Sequence, residues 1–93
     1  MRILYIKLYL FDVSAMNDHV DLLQYLIKNG ADVNTKTIDG NSTLMWATWR
    51  GHLKIIKILL ENGADKNSKN IGGDTPLSLA RKHENEDLIN TLL

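Results

Sequence analysis

From Val20 to Lys28 and again from Leu53 to Glu61 the chain is apolar around all but one narrow stripe. In the later segment Lys54, Lys57 and Glu61 are polar, and Leu53, Ile55, Ile56, Ile58, Leu59 and Leu60 fill the rest. In the earlier one Asp21, Gln24 and Lys28 are polar among Val20, Leu22, Leu23, Tyr25, Leu26 and Ile27. Polar residues at i, i+3 and i+7 share one face of an α-helix. Each segment therefore predicts a helix that neighbours must cover on two or three sides. Gly30 and Gly63 follow these segments and supply the left-handed residue that ends a helix. A shorter helix precedes the later one: Ser42 or Thr43 caps it, it runs to about Trp49, and Gly51 breaks the chain before the long helix begins near His52. Thr75-Pro76 marks a further helix start, a hydroxyl cap followed by proline at the first helical position. The stretch from Ala64 to Gly73 is rich in Asp, Asn and Gly and reads as turns.

These elements recur at a fixed stride. Gly30-Ala31-Asp32-Val33-Asn34 returns as Gly63-Ala64-Asp65-Lys66-Asn67, an offset of 63 − 30 = 33. Gly40 returns as Gly73, Leu44 as Leu77 and Ala47 as Ala80, and His52, Asn62 and Lys69 map back to His19, Asn29 and Lys36. Residues 16–36 share 8 of 21 positions with 49–69, and 37–60 share 7 of 24 with 70–93, both without a gap. A period of this size predicts stacked units, none able to bury its apolar face alone.

Ser42-Thr43-Leu44-Met45, Ala47, Gly51-His52 and Gly63-Ala64-Asp65-Lys66-Asn67 resemble the ankyrin repeat, as do Gly73, Thr75-Pro76-Leu77-Ser78 and Ala80. The resemblance covers about residues 10 to 93. It implies an all-α fold: an ankyrin-repeat solenoid of stacked helix–turn–helix pairs joined by β-hairpin-like finger loops, with a concave binding face. The chain departs from the family pattern at Thr43, where Pro is usual, at Met45 and Ser78, where His is usual, and at Glu84-Asn85, which replace Gly-His. The expected organisation is one domain over 1–93: a degenerate first repeat at 1–36, a middle repeat at 37–69 and a capping-like repeat at 70–93.

The two ends differ. Glu86, Asp87, Asn90 and Thr91 make the last helix more polar than its counterparts, as the terminal unit of a stack requires. Ile3 to Phe11 is almost wholly apolar, with Arg2 ahead of it and Ala15 behind. A signal peptide has that outline, yet Lys7 interrupts the run, Tyr5 and Tyr9 flank it and Asp12 ends it, so a strand or helix of the domain is the preferred reading. The run is too short to cross a bilayer. Three roles are open for it: it follows another repeat, it folds onto the first helix pair, or it mediates self-association. Leu10 to Met16 is expected to form a degenerate first helix.

Composition narrows the chemistry. The chain has 93 residues, 11 Lys and Arg against 11 Asp and Glu, and no cysteine. Zero net charge argues against a protein that works mainly by gripping nucleic acid or an anionic membrane. The lack of cysteine removes disulfide scaffolds and thiolate metal sites, and tilts towards an intracellular, cytoplasmic setting. His19 and His52 are repeat-equivalent helix starts, and His83 stands apart from them, a poor beginning for a zinc site that needs four ligands. Asp65-x-Asn67 imitates a calcium loop, but Asn70 stands at the sixth position and Pro76 at the twelfth, where Gly and a bidentate Glu are needed. Asn41-Ser42-Thr43 fits a glycosylation acceptor, which matters only in a secreted chain. No nucleotide loop or catalytic triad motif is present. No cofactor, no metal and no enzymatic activity are expected.

Function then falls to exposed positions on the repeated scaffold. The resemblance assigns partner contacts to finger tips and the open side of each first helix. Carried over by position, these are Ile38, Asp39, Asn41, Trp49 and Arg50 in the middle copy, Ile71, Gly72, Asp74, Lys82 and His83 in the third, and Met16 and Asn17 in the first. Trp and Arg dominate the energetics of measured interfaces, so Trp49 with Arg50 is the most informative pair. The alternative is that Trp49 packs between adjacent first helices. Trp46 reads as core. Ile38 and Ile71 share a tip position, and packing of one finger on the next is preferred for them over partner contact. Lys54, Lys57 and Glu61 read as a solvated outer face. The chain is expected to bind another protein without catalysis; the alternative is a structural spacer or fragment of a longer array.

Overall fold

The computed structural model describes residues 2–93, with side-chain surroundings from Ile6 onward. Among the described residues six helices follow one another: α1 (Arg2–Met16), α2 (Val20–Lys28), α3 (Thr43–Arg50), α4 (Leu53–Glu61), α5 (Pro76–Lys82) and α6 (Glu86–Leu92). Among the described residues there is no strand beyond a single antiparallel bridge, Lys36 with Ser42, that closes the first finger.

Local chemistry sets the helix ends. Ser42 accepts the Met45 N–H at the start of α3. At α5 Thr75 and Ser78 form a reciprocal capping box, with Pro76 at the first helical position. Asn85 accepts the Leu88 N–H to start α6. At the other end of α2 and α4 the Asn-Gly pairs act alike. Asn29 Nδ2 donates to the Tyr25 carbonyl and Asn62 Nδ2 to that of Ile58, each at 2.8 Å. Gly30 and Gly63 then adopt φ of 92° and 89°, and Ala31 and Ala64 donate back to Leu26 and Leu59, each at 3.0 Å. Residues one stride apart thus sit in the same local geometry.

The equivalence holds even where the sequence departs from it. Gly51 ends α3 at φ 74°; its counterparts Asp18 and Glu84 are driven to φ 57° and 53° although neither is glycine. The tertiary arrangement overrides their preference, since an L-residue in the left-handed region costs about 1–2 kcal/mol.

The helices form two layers. Helices α1, α3 and α5 touch in sequence, as do α2, α4 and α6, and each pair α1–α2, α3–α4 and α5–α6 packs across the layers. One continuous core runs through them, including Phe11, Leu23, Leu44, Ile55, Ile56, Leu59 and Leu88. Ser14, Ala47 and Ala80, spaced by the stride, are fully buried. Small side chains there let the first-layer helices approach closely. Ser14 satisfies its hydroxyl by donating to the Phe11 carbonyl at 2.7 Å.

Polar joints tie each pair to the next. Asn34 Nδ2 donates to the Gly63 carbonyl at 3.0 Å, and its Oδ1 accepts the Asp65 N–H at 2.7 Å. His52 Nε2 donates to the Met16 carbonyl at 2.9 Å. Thr43 Oγ1 donates to Asp12 Oδ1. This last bond accounts for Thr43 where the third copy has Pro76: a proline would leave the half-buried Asp12 carboxylate without its partner. His19 and His52 stand at the starts of α2 and α4, as their repeat positions imply.

The N-terminal segment differs from expectation. Leu10 to Met16 is expected to form a degenerate first helix, and Ile3 to Phe11 a strand or helix of the domain. One continuous helix, α1 from Arg2 to Met16, takes in both, and neither glycine nor proline interrupts it. Phe11, Ser14 and Ala15 anchor it against the rest of the core.

The shared left-handed position gives a direct test. Asp18→Gly and Glu84→Gly should each raise the free energy of unfolding by about 0.5–1 kcal/mol, whereas Gly51→Ala should lower it by about 1–2 kcal/mol. Urea titrations of the three variants measure both signs.

Candidate protein-binding face

Finger tips and first-layer helix ends carry the positions singled out from sequence. Each finger is a tight turn made by its own amides. Thr37 N–H donates to Asn41 O and Gly40 N–H to Thr37 O; one stride later Asn70 N–H donates to Asp74 O and Gly73 N–H to Asn70 O. The two fingers then join. Ile71 N–H donates to Asp39 O, and Asn70 Nδ2 donates to Asn41 Oδ1, each at 2.9 Å. Gly40 must be glycine at this junction. Its φ is 79°, and a Cβ there would lie 3.0 Å from the Asn70 Cα.

This joint corrects the preference for apolar finger packing. Main-chain and amide groups hold the fingers together, while Ile38 and Ile71 stand 99% and 84% exposed at the tips. Asp39 is exposed as well, with its carbonyl engaged, and Gly72 is exposed beside Ile71. Asn41 is half-buried and spent on the second finger.

Helix α3 presents the aromatic feature. Trp49 is 52% exposed and lies on Trp46, one turn earlier, with ring centroids 6.2 Å apart and planes 19° from parallel. Trp49 therefore packs along its own helix with about half of its surface open. Trp46, expected in the core, is only half-buried, and its Nε1–H is buried without an acceptor. Arg50 is exposed at the end of the same helix. Stacked indoles with an adjacent guanidinium make a rigid surface of large area and low entropy cost.

The flanking helices supply the rest of the row. At the end of α1 Met16 is half-buried and its carbonyl takes the His52 bond, while Asn17 is exposed and donates to Val13 O at 2.9 Å. At the end of α5 Lys82 and His83 are exposed. Lys82 is not free: its Nζ lies 2.8 Å from Asp74 Oδ1, which also accepts the Ser78 hydroxyl at 3.0 Å. Asp74 thus serves the α5 cap as well as the surface. Lys82 and the Ser78 hydroxyl hold its carboxyl below the usual carboxylate range. Lys54, Lys57 and Glu61 are exposed on the second layer, α4, away from this row.

Sequence reasoning missed the Trp46–Trp49 stack, although an i, i+3 aromatic pair signals it. It also missed Asp12. Burial pushes that carboxyl above its ordinary value, and the Thr43 hydroxyl only partly opposes the rise.

Two layers of helix pairs stacked at a constant stride, with fingers along one edge, define a helical-repeat solenoid. The family model for ankyrin repeats, in three copies, matches residues 10–93. The chain belongs to the ankyrin-repeat family, whose members generally serve as protein–protein interaction modules and are typically not enzymes. No curated protein matched the chain. Among the described residues no helix is long and apolar enough to cross a membrane.

The two perturbed carboxyls act on stability with opposite signs. A raised folded pKa penalises the charged form, so the Asp12 contribution is most favourable in acid and is lost as pH climbs through its folded value. A lowered one does the reverse: Asp74 stabilises above the unfolded carboxylate pKa, and that gain is lost as pH falls. Asp12→Asn should therefore raise the melting temperature at neutral pH and give no gain in acid. Asp74→Asn should lower it at neutral pH and change little in acid. Calorimetric scans across that pH range check both.

Proposed function

We propose that the chain is a non-enzymatic protein-binding module, one ankyrin-repeat domain over 1–93, that holds its partner along the finger tips and the ends of α1, α3 and α5. The carrying observation is the Trp46–Trp49 stack beside Arg50, half open to solvent at the centre of that row. A large aromatic surface left open on an otherwise buried helix is costly in water and favourable under a partner. Ile38 and Ile71 extend the surface as two apolar tips fixed by the joint between the fingers. Met16 and Asn17 on one side, and Lys82 and His83 on the other, form its rim. Asp39 adds negative charge at the first tip, while Asn41 and Asp74 hold the fingers and the α5 cap in shape.

A scaffold stiffened by main-chain bonds suits this role because little order is lost when the partner docks. The partner is another protein rather than nucleic acid or membrane, in keeping with zero net charge and the absence of a basic stripe in the sequence. The same reading carries the intracellular setting expected of a cysteine-free member of this family.

Alanine variants separate the two faces. With the partner recovered by affinity capture, Trp49→Ala and Arg50→Ala should each weaken calorimetric binding by about 1–2 kcal/mol while leaving the helical circular-dichroism signal intact. Lys54→Ala and Lys57→Ala should change it little. Loss of binding on the Lys54 and Lys57 side alone would overturn the assignment of the face.

A further inference from the structure

Among the described residues two carboxylates are half-buried, Asp12 and Asp74, and their surroundings differ. Asp74 has the Lys82 ammonium at 2.8 Å. Asp12 has the Thr43 hydroxyl on Oδ1 and no cation within reach among the described residues. Its Oδ2 accepts no bond from them, yet that oxygen is not buried. The stack needs no charge at this position. Its counterparts one and two strides on are Met45, which is buried, and Ser78, whose hydroxyl serves the α5 cap. A half-buried carboxylate without a cation costs stability in the free chain, and burial holds this one above its ordinary value.

Asp12 lies in a cleft of about 290 Å³ between α1 and the first finger. Leu8 and Tyr9 of α1 stand on one wall, and Lys36 and Ile38 of the finger on the other. Tyr9 is 69% exposed, and Ile38 is the open finger tip. Both walls belong to this chain and both are fixed. Phe11 anchors the helix in the core, and the Lys36–Ser42 bridge closes the finger. The Lys36 side chain is exposed and pairs with no described carboxylate, so it does not neutralise Asp12.

We propose that this cleft receives an arginine side chain of the partner protein, its guanidinium donating to Asp12 Oδ2 and lying against Tyr9. The proposal rests on the protein-binding reading and adds the chemistry of one contact to it. A guanidinium suits the cleft better than an ammonium. It is planar and weakly hydrated, and it stacks on an aromatic face while donating to a carboxylate. The cost that Asp12 imposes on the free chain is then offset in the complex by a charge-assisted bond.

Amide chemical-shift titration with Nα-acetyl-arginine amide tests the contact without the partner. Saturable shifts should centre on residues 8–12, 36–38 and 43. A dissociation constant of about 1 mM is expected for so small a probe. The citrulline analogue, its neutral isostere, and the lysine analogue should each bind at least roughly tenfold more weakly. Asp12→Asn, whose amide oxygen still accepts the Thr43 hydroxyl, should weaken the arginine probe at least roughly tenfold while raising the melting temperature at neutral pH. A purely structural Asp12 would not give that pair of opposite effects. Lys36→Ala should tighten the probe about twofold by removing a like charge. No saturable shift, equal binding of the citrulline or lysine analogue, or an Asp12→Asn chain that binds arginine as wild type does would overturn the proposal. Should Asp12→Asn fail to fold by circular dichroism, the arginine and citrulline titrations of wild type and Lys36→Ala decide. Partner binding by the Trp49 and Arg50 variants is measured separately, so loss of this subsite is told apart from loss of the binding face.

Discussion

Helix α4 has more apolar circumference than its partner α3 can cover, and this mismatch governs the rest of the molecule. Ile55, Ile58 and Leu59 share one face and Ile56 lies further round the helix, and all four are buried. Burying them requires α3 on one side, α2 on another and α6 on a third. At about 25 cal/mol per Å² of apolar surface, the contacts between pairs contribute stability that no isolated pair could reach. The fixed stride follows from the same requirement, since each added pair must present the next with the surface it received.

The polar joints refine that arrangement rather than drive it. Asn34, His52 and Thr43 each reach across to a neighbouring pair; His52 and Thr43 answer part-buried groups, while Asn34 ties two exposed turns together. The fingers are built alike. Because amides and asparagines hold them together, the tip side chains are released from structural duty. Ile38 and Ile71 are exposed for that reason, and the division of labour between backbone and side chain makes a binding edge possible on so small a scaffold.

Much of this was legible in the sequence, and its limits have physical causes. The repeated Gly-Ala-Asp-x-Asn segment could be read because a left-handed helix end needs glycine and the turn after it needs short polar side chains. The polar stripe of α4 was visible because helical periodicity is local. The continuity of α1 was not, since an apolar run broken by Lys7 reads as either strand or helix until its packing partners are known. Trp46 was assigned to the core from spacing alone, and spacing does not show how wide the gap beside a helix is. The Asp12–Thr43 bond joins residues 31 apart, and no single-sequence pattern pairs them. Lys82 and Asp74, both read as contact residues, turn out to bind each other.

Amide hydrogen exchange in dilute solution addresses the central dependence on stacking most directly, because it reports the local free energy of opening along the chain. Amides of α3 and α4, covered from both sides, should exchange slowest, with protection falling towards α6 at one end and the start of α1 at the other. Protection in α1 and α2 that outlasts that in α3 and α4 would contradict the account, for it would mean that a helix pair is stable without the neighbours on which the whole stack is argued to rest.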